Sequence, residues 1–357
     1  MDAGTRCTDR KIFAEMETEM KQEYVLNQLK TLIGIDSPTG YYENVQNYLM
    51  KELEGMGFRP KHLRKGGVIV ELGGEGNPLM MLSHVDTLGC FVHYIKGDGR
   101  LAISNQTLNP NNIETEHVRV ITRDERVYEG TIQLANASVH VNDDVNSPRS
   151  FQNLEVVLDE DVASREDVEK LGICAGDVVA VEPRFVVTEK GYIKSRFLDD
   201  KASASVLLGI AKEVSEHPDC LKRNVWLFFT VYEEIGFGAS AGIPDFIEDL
   251  LAVDMGCVGE HLSCTEKQVS ICAKDNGGAY NRSMVKELLD VAKEKNIDYA
   301  MDIYPHYGSD AGAALRAGVD ARHALIGPGV YASHGYERSH VDGLRQTFDL
   351  IAGYIMK

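Results

Sequence analysis

The chain has 357 residues, 43% of them hydrophobic, and a formal net charge of -18. That length exceeds one average domain and supplies ample core, so two domains, or one large domain with an insertion, are expected. The strong negative charge argues against a nucleic-acid or anionic-membrane surface and for a soluble protein.

The first residues, "MDAGTRCTDRKIFAEMETEMKQ", contain no apolar h-region, so no signal peptide is expected. Next, "YVLNQLKTLIGI" repeats apolar residues at helical spacing. After the break "DSPTG", a second helix is predicted in "YENVQNYLMKELEGMGF", where Val45, Tyr48, Leu49 and Leu53 share one face and Gly55 or Gly57 ends it. "GVIVEL" and "PLMMLSHVD" read as short strands. From about Cys90 to about Lys190 the chain alternates apolar and polar residues in short pieces punctuated by Gly, Asn and Asp. This predicts a small all-β unit, barrel or sandwich, with "SREDVEKLGI" as a lone short helix.

After "SRFLDD", helices and apolar strands alternate. "KASASVLLGIAKEVSEH", "RSMVKELLDVAKEKN", "AGAALRAGV" and "HVDGLRQTFDLIAGYIM" are predicted helices. "NVWLFFTVY", "FIEDLLAVDMG" and "QVSICAKD" are predicted strands, and "ARHALIGPGV" a strand and loop. Such alternation indicates an α/β sheet covered on both faces. No apolar run approaches the roughly 20 residues that span a bilayer. The cysteines (Cys7, Cys90, Cys174, Cys220, Cys257, Cys264, Cys272) are odd in number, scattered and without a CxxC pair, as expected of reduced thiols in a cytoplasmic protein.

Five places put an acid or an imidazole where a buried strand ends or a helix opens: His84-Val85-Asp86, Asp199-Asp200, Glu233-Glu234, Asp254, and the tail "YASHGYERSH" with His334 and His340. Each has a bland reading: a satisfied histidine, an N-cap, a solvated strand edge, a turn aspartate, an exposed polar loop. Residues two apart on a strand point the same way, so Asp86 can sit beside the His84 ring and fix its tautomer. Together the five places bring imidazole and carboxylate to strand ends at one sheet edge, where ligands bind. Such mixed donors suit zinc or a similar divalent ion.

The ordered set H-x-D, L-D-D opening a helix, E-E-I-G, A-V-D and a late histidine resembles the co-catalytic di-metal aminopeptidases of clan MH, above all the glutamyl, deblocking and tetrahedral (TET) aminopeptidases. The all-β insertion and the segments "YEGTIQLANASVH", "LGICAGDVV" and "YGSDAGA" are similar as well, and the likeness covers nearly the whole chain. It implies an α/β fold with a mixed central sheet and helices on both faces. Residues 1–89 and 190–357 would form the catalytic part and residues 90–189 an inserted β-barrel-like domain. It implies two divalent metal ions, zinc first and cobalt or manganese next. His84 and Asp254 would each serve one metal, Asp199 would bridge both, and Glu234 would bind the metal opposite the one held by the late histidine. Glu233 would be the general base, with Asp86 beside His84 completing the catalytic set. A cis peptide between Asp199 and Asp200 and a homo-oligomer, up to a dodecamer, also follow from the resemblance.

The chain departs from the family pattern in places. Thr87 follows Asp86 where the family often has glutamate, and "AVDMGCVGE" is atypical after Asp254. The last ligand sits in "YASHGYERSH", where counting back from the C-terminal helix favours His334, followed by Glu337, with His340 as the alternative. The expected activity is removal of N-terminal residues from small peptides. The alternative is hydrolysis of small acylated or amidated peptides on the same scaffold. A non-catalytic scaffold fits less well, because ligand-type and base-type carboxylates are both present. A glycosidase fits worse, because adjacent glutamates do not straddle a sugar at the ~5–9 Å that its two carboxyls require.

Overall fold

A computed structural model describes residues 21–143 and 145–356. The N-terminal reading and Cys7 therefore lie outside the described residues. In chain order the helices are α1 (residues 21–33), α2 (Glu43–Gly55), α3 (Arg165–Lys170), α4 (Leu198–Glu216), α5 (Arg282–Glu294), α6 (Asp310–Arg316) and α7 (Val341–Ile355). The strands are β1 (Lys61–His62), β2 (Val68–Gly73), β3 (Leu79–His84), β4 (Gly89–Ile95), β5 (Leu101–Gln106), β6 (His117–Ile121), β7 (Val127–Leu134), β8 (Leu154–Leu158), β9 (Val178–Val181), β10 (Val186–Val187), β11 (Tyr192–Ser195), β12 (Val225–Thr230), β13 (Asp249–Val253), β14 (Gly256–Val258), β15 (Val269–Asp275), β16 (Gly278–Ala279), β17 (Tyr299–Ile303), β18 (Arg322–Tyr331) and β19 (Glu337–His340).

Thirteen strands form one mixed sheet whose main path runs β1-β2-β12-β3-β13-β18-β19-β11-β10, and β15 joins β18 and carries β16 and β17. At its centre β12, β3, β13 and β18 are mutually parallel. Strands β3 and β13 are buried along their whole length, so both sheet faces are covered there. That is why "LMMLSH" and "DLLAV" read as continuous apolar runs instead of alternating ones. Helix α4 is buried nearly all round and packs against β3 and α7. On α2, Val45, Leu49 and Leu53 are buried as their spacing predicts, and Gln46 is buried beside them.

The alternating stretch closes on itself. Its six strands, in the order β4-β5-β8-β7-β6-β9, form a barrel with antiparallel neighbours. Of the two forms the sequence left open, it is the barrel, which leaves no unpaired edge. The chain enters the barrel five residues after the end of β3. It returns through β10 and β11, which pair with each other, and β11 pairs in turn with β19 of the large sheet. Strand β18 continues through the expected loop to Tyr331. Among the described residues no helix is long and apolar enough to cross a membrane, and Cys90, Cys174, Cys257, Cys264 and Cys272 form no disulfide.

Candidate active site

Because β3, β12, β13 and β18 run parallel, their carboxyl ends lie at one edge of the sheet. His84 ends β3, Glu233 and Glu234 follow β12, Asp254 follows β13, and His334 follows β18. Asp199 reaches the same place from the start of α4. There Asp199 and Asp200 have non-helical dihedrals and are joined by a cis peptide bond. Phe197, at a left-handed φ of 66° and with no side-chain cap bond, precedes the pair, and the regular helix begins after it.

The two carboxylate oxygens of Asp199 face two different groups. Oδ1 lies 3.2 Å from His84 Nε2, and Oδ2 lies 3.6 Å from His334 Nε2. Donor atoms of His84, Asp199 and Asp254 all lie within 4.8 Å of one another. On the other side His334 Nε2 is 3.5 Å from Glu234 Oε2. Glu234 and the late histidine thus stand together, which departs from the expectation that they serve opposite metals. The turn after β12 and the loop after β18 meet across the strand ends.

His84 is 1% exposed. Its Nδ1 lies 2.9 Å from the Asp86 carbonyl and 3.6 Å from Asp86 Oδ1. A proton on Nδ1 directed at that carbonyl leaves the Nε2 lone pair facing Asp199, the tautomer a metal ligand needs. Asp86 also receives the Thr39 hydroxyl at Oδ2 (2.7 Å) and the Glu233 backbone N–H at Oδ1 (3.2 Å), so it links His84 to the Glu233 turn. Asp200 turns away and accepts the Ser83 hydroxyl (2.6 Å) and the His84 N–H (3.2 Å). His340 is not brought to this group. It opens α7, where Nδ1 accepts the Asp342 N–H at 3.0 Å and Nε2 lies 2.7 Å from the Lys190 carbonyl.

The electrostatics are those of a crowded acidic site. Burial pushes the Glu233 and Glu234 carboxyls well above the ordinary range, and neighbouring acids add to this against the pull of His84. Burial, then Asp199, pushes Asp254 up to about 7. For Asp199 burial works the other way from His84 and His334, and the imidazoles win, holding it low. Burial opposes a charged His84, yet Asp199 and Asp86 raise it well above the ordinary histidine value.

Among the described residues no lysine or arginine forms an ion pair with Asp199, Glu233, Glu234 or Asp254, and their ion-pair partners are imidazoles. Glu234 Oε1 is buried with no hydrogen-bond partner. Buried carboxylates without a cationic side chain, facing the Nε2 atoms of two imidazoles, are a donor set that fits divalent cations. The group opens into a cavity of ≈ 470 Å³ that is also lined by Tyr307, Cys257, His306 and Arg316. Sequence reading missed these four. Tyr307 lay in "YGSDAGA" and Cys257 in "AVDMGCVGE", two stretches that had been singled out for other reasons.

Residues 66–350 match the model of the family described as M42 glutamyl aminopeptidase. The chain is 42% identical over 331 residues to the protein of Bacillus subtilis (strain 168) called "Putative aminopeptidase YhfE", covering 92% of this chain and 96% of the relative. The TET aminopeptidase from the marine sediment archaeon Thaumarchaeota archaeon SCGC AB-539-E09 superposes with a TM-score of 0.84 at 19% identity, over 93% of this chain and 97% of that one. The Pyrococcus horikoshii TET1 peptidase, which can assemble into a tetrahedron or a large octahedral shell, gives 0.82 at 22% identity, over 93% and 99%. At such identities the two structures speak for the fold alone.

Proposed function

The chain belongs to the M42 glutamyl aminopeptidase family, and from that premise we propose that it is a metal-dependent aminopeptidase removing N-terminal residues from small peptides. The observation that carries this reading is the division of Asp199: one oxygen beside His84, the other beside His334. On this reading Asp199 would help to hold both of two divalent cations. His84 and Asp254 complete one site, and Glu234 and His334 the other. Zinc suits the donors best, with cobalt or manganese as alternatives.

Bound there, two divalent cations would supply Lewis acidity to a peptide carbonyl and would make a water more acidic. The chain supplies the rest. Glu233, whose Oε2 lies 3.7 Å from His84 Nε2, borders the cavity and acts as the base. It takes a proton from the attacking water onto its carboxylate and returns it to the leaving amine nitrogen. Asp86 holds the His84 tautomer and the Glu233 backbone. The acidic wall of the cavity receives the free α-ammonium of the substrate, which makes the enzyme an exopeptidase.

The same proposal divides the chain into a catalytic part, residues 1–89 and 190–357, and an inserted barrel unit, residues 90–189. It extends to a cytoplasmic homo-oligomer, dodecameric by likeness to the TET aminopeptidases. The test is hydrolysis of free-amine against N-acetylated dipeptides by enzyme stripped with EDTA and then reloaded with zinc. Cleavage of free-amine substrates alone, and only after reloading, is expected. Preference for the acetylated series would replace an aminopeptidase with a deacylase-like hydrolase.

A further inference from the structure

Lys65 has no part in the chemistry above, yet its ammonium reaches the backbone that presents the base. It donates to the Val231 carbonyl at 3.2 Å, to the Phe237 carbonyl at 2.9 Å, and to the Gly238 carbonyl. Val231 precedes the Glu233–Ile235 turn, and Phe237 and Gly238 follow it. One side chain thus joins both stems of the loop at its neck. Among the described residues Lys65 forms no ion pair; burial disfavours its charge, which the Asp310 and Asp86 carboxylates support from a distance, and the three carbonyls are the acceptors it touches. Its Nζ also lies 6.0 Å from the ring centres of Phe228 and Tyr232.

The local sequence delivers Lys65 to this point. Strands β1 and β2 form a hairpin whose tip contains Gly66 and Gly67, both at positive φ (102° and 93°). A Cβ on Gly66 would meet Val231 Cγ2 at 2.7 Å, and one on Gly67 would meet the Phe229 carbonyl at 2.7 Å. The two glycines therefore let the hairpin tip close onto the end of β12, which aims the residue just before them into the loop.

The loop needs such a hold. Tyr232 adopts a left-handed φ of 69°, unusual for a bulky residue, and Gly236 one of 81°. Asp310 grips from the opposite side, accepting the Ala239 N–H at 2.6 Å and the Thr230 hydroxyl. The tip itself has one backbone contact to the histidine side, the Glu233 N–H to Asp86. An ammonium with three donors is suited to gathering three carbonyls that converge from two chain segments.

We propose that Lys65 is a positioning residue for the reaction: its ammonium clasps residues 231 and 237–238 together and thereby sets where the Glu233 carboxylate stands over the cavity. The inference rests on the reading of Glu233 as the base. A base displaced by about 1 Å loses on the order of a hundredfold in rate without loss of substrate affinity, so the signature of the clasp is in kcat.

The experiment compares Lys65→Met, Lys65→Arg and Lys65→Gln with wild type in kcat, KM, metal content and amide hydrogen exchange. In Lys65→Met, kcat falls on the order of tenfold or more while KM stays within about threefold. The metal complement is kept, and exchange quickens at residues 231–239 but not across the fold. Lys65→Arg, which still donates to carbonyls, recovers part of kcat, and Lys65→Gln recovers less. Wild-type kcat in Lys65→Met overturns the proposal. So does a rise in KM alone, which would make Lys65 a substrate contact, and so does exchange quickened throughout the chain, which would make it merely structural. If Lys65→Met is insoluble, equal kcat in the arginine and glutamine variants and wild type overturns it instead. Glu233→Gln run in parallel separates the two failures. Full activity there removes the base assignment, whereas an inactive Glu233→Gln beside a fully active Lys65→Met removes the clasp alone.

Discussion

Glu337 accepts the backbone N–H of Asp199 at Oε2, 3.1 Å away, and takes the backbone N–H of His334 at Oε1, also at 3.1 Å. One buried carboxylate therefore spaces the aspartate and the loop histidine, two of the ligands proposed above, which come from distant parts of the chain. His334 needs this, because its own φ of 62° is left-handed. In Glu337→Gln one acceptor becomes an N–H donor facing an N–H. Affinity for one of the two metals is expected to fall about tenfold to a hundredfold, as when a supporting partner of a ligand is lost, with the second metal retained. Zinc titration of the stripped variant measures this, and two wild-type affinities would show that Glu337 does not set the ligand spacing.

The adjacent glutamates are expected to fail differently. Glu233→Gln lowers turnover by roughly 10²–10⁴-fold, the weight of a general base, while both metals stay. Glu234→Gln loses metal, since Glu234 Oε2 faces His334 and its Oε1 has no protein partner. Metal analysis beside activity decides, and loss of metal from Glu233→Gln with a full complement in Glu234→Gln would exchange the two roles.

Much of this site was legible because it lies at strand ends. His84, Glu233, Glu234 and Asp254 each follow an apolar run, and parallel strands bring all such ends to one edge. The reading weakened where function depends on a third dimension that spacing does not encode. The nearness of Glu234 to His334 was not legible, because it depends on how two loops meet. Asp199 and Asp200 resembled a helix cap, but their dihedrals set them apart from the helix that follows. Lys65 carried no signal at all: it stands in no motif and acts through carbonyls more than 160 residues away. Asp310 stood within "YGSDAGA", but its hold on the Ala239 N–H, 71 residues away, was not legible there.

Counting back from the C-terminal helix favoured His334 with His340 as the alternative, and the structure gives the two different occupations. His334 faces Asp199 and Glu234, whereas His340 is hydrogen-bonded at both ring nitrogens and opens α7. His334→Ala is expected to lose one metal and most activity. His340→Ala keeps both metals and costs about 1 kcal/mol of stability, the usual loss for a helix cap. Metal titration and denaturant melts of the pair test this, and a lost metal in His340→Ala with a full complement in His334→Ala would reverse the assignment.

Removing metal should invert the usual dependence of stability on pH. Burial, then Asp199, raises the Asp254 carboxyl from the ordinary 3.8 to about 7, and burial raises Glu233 and Glu234 as well. Without a cation the folded chain holds these protons more tightly than the unfolded chain does. The stability linked to Asp254 is then fully present below 3.8 and is lost as the pH climbs through about 7. His84, also raised, acts in the same sense. Asp199 and Asp249 are lowered, so their contribution is lost only as the pH falls through their folded values, below this window. Divalent cations bind deprotonated donors, so their stabilisation grows with pH. Melting of EDTA-stripped protein from about pH 5 to about pH 8 should therefore show a falling midpoint, with the gain from excess zinc widening over the same range. A stripped protein whose midpoint rises across that range, parallel to the zinc-loaded one, would mean that these carboxylates do not destabilise the metal-free fold and that its acidic centre is balanced by something other than metal.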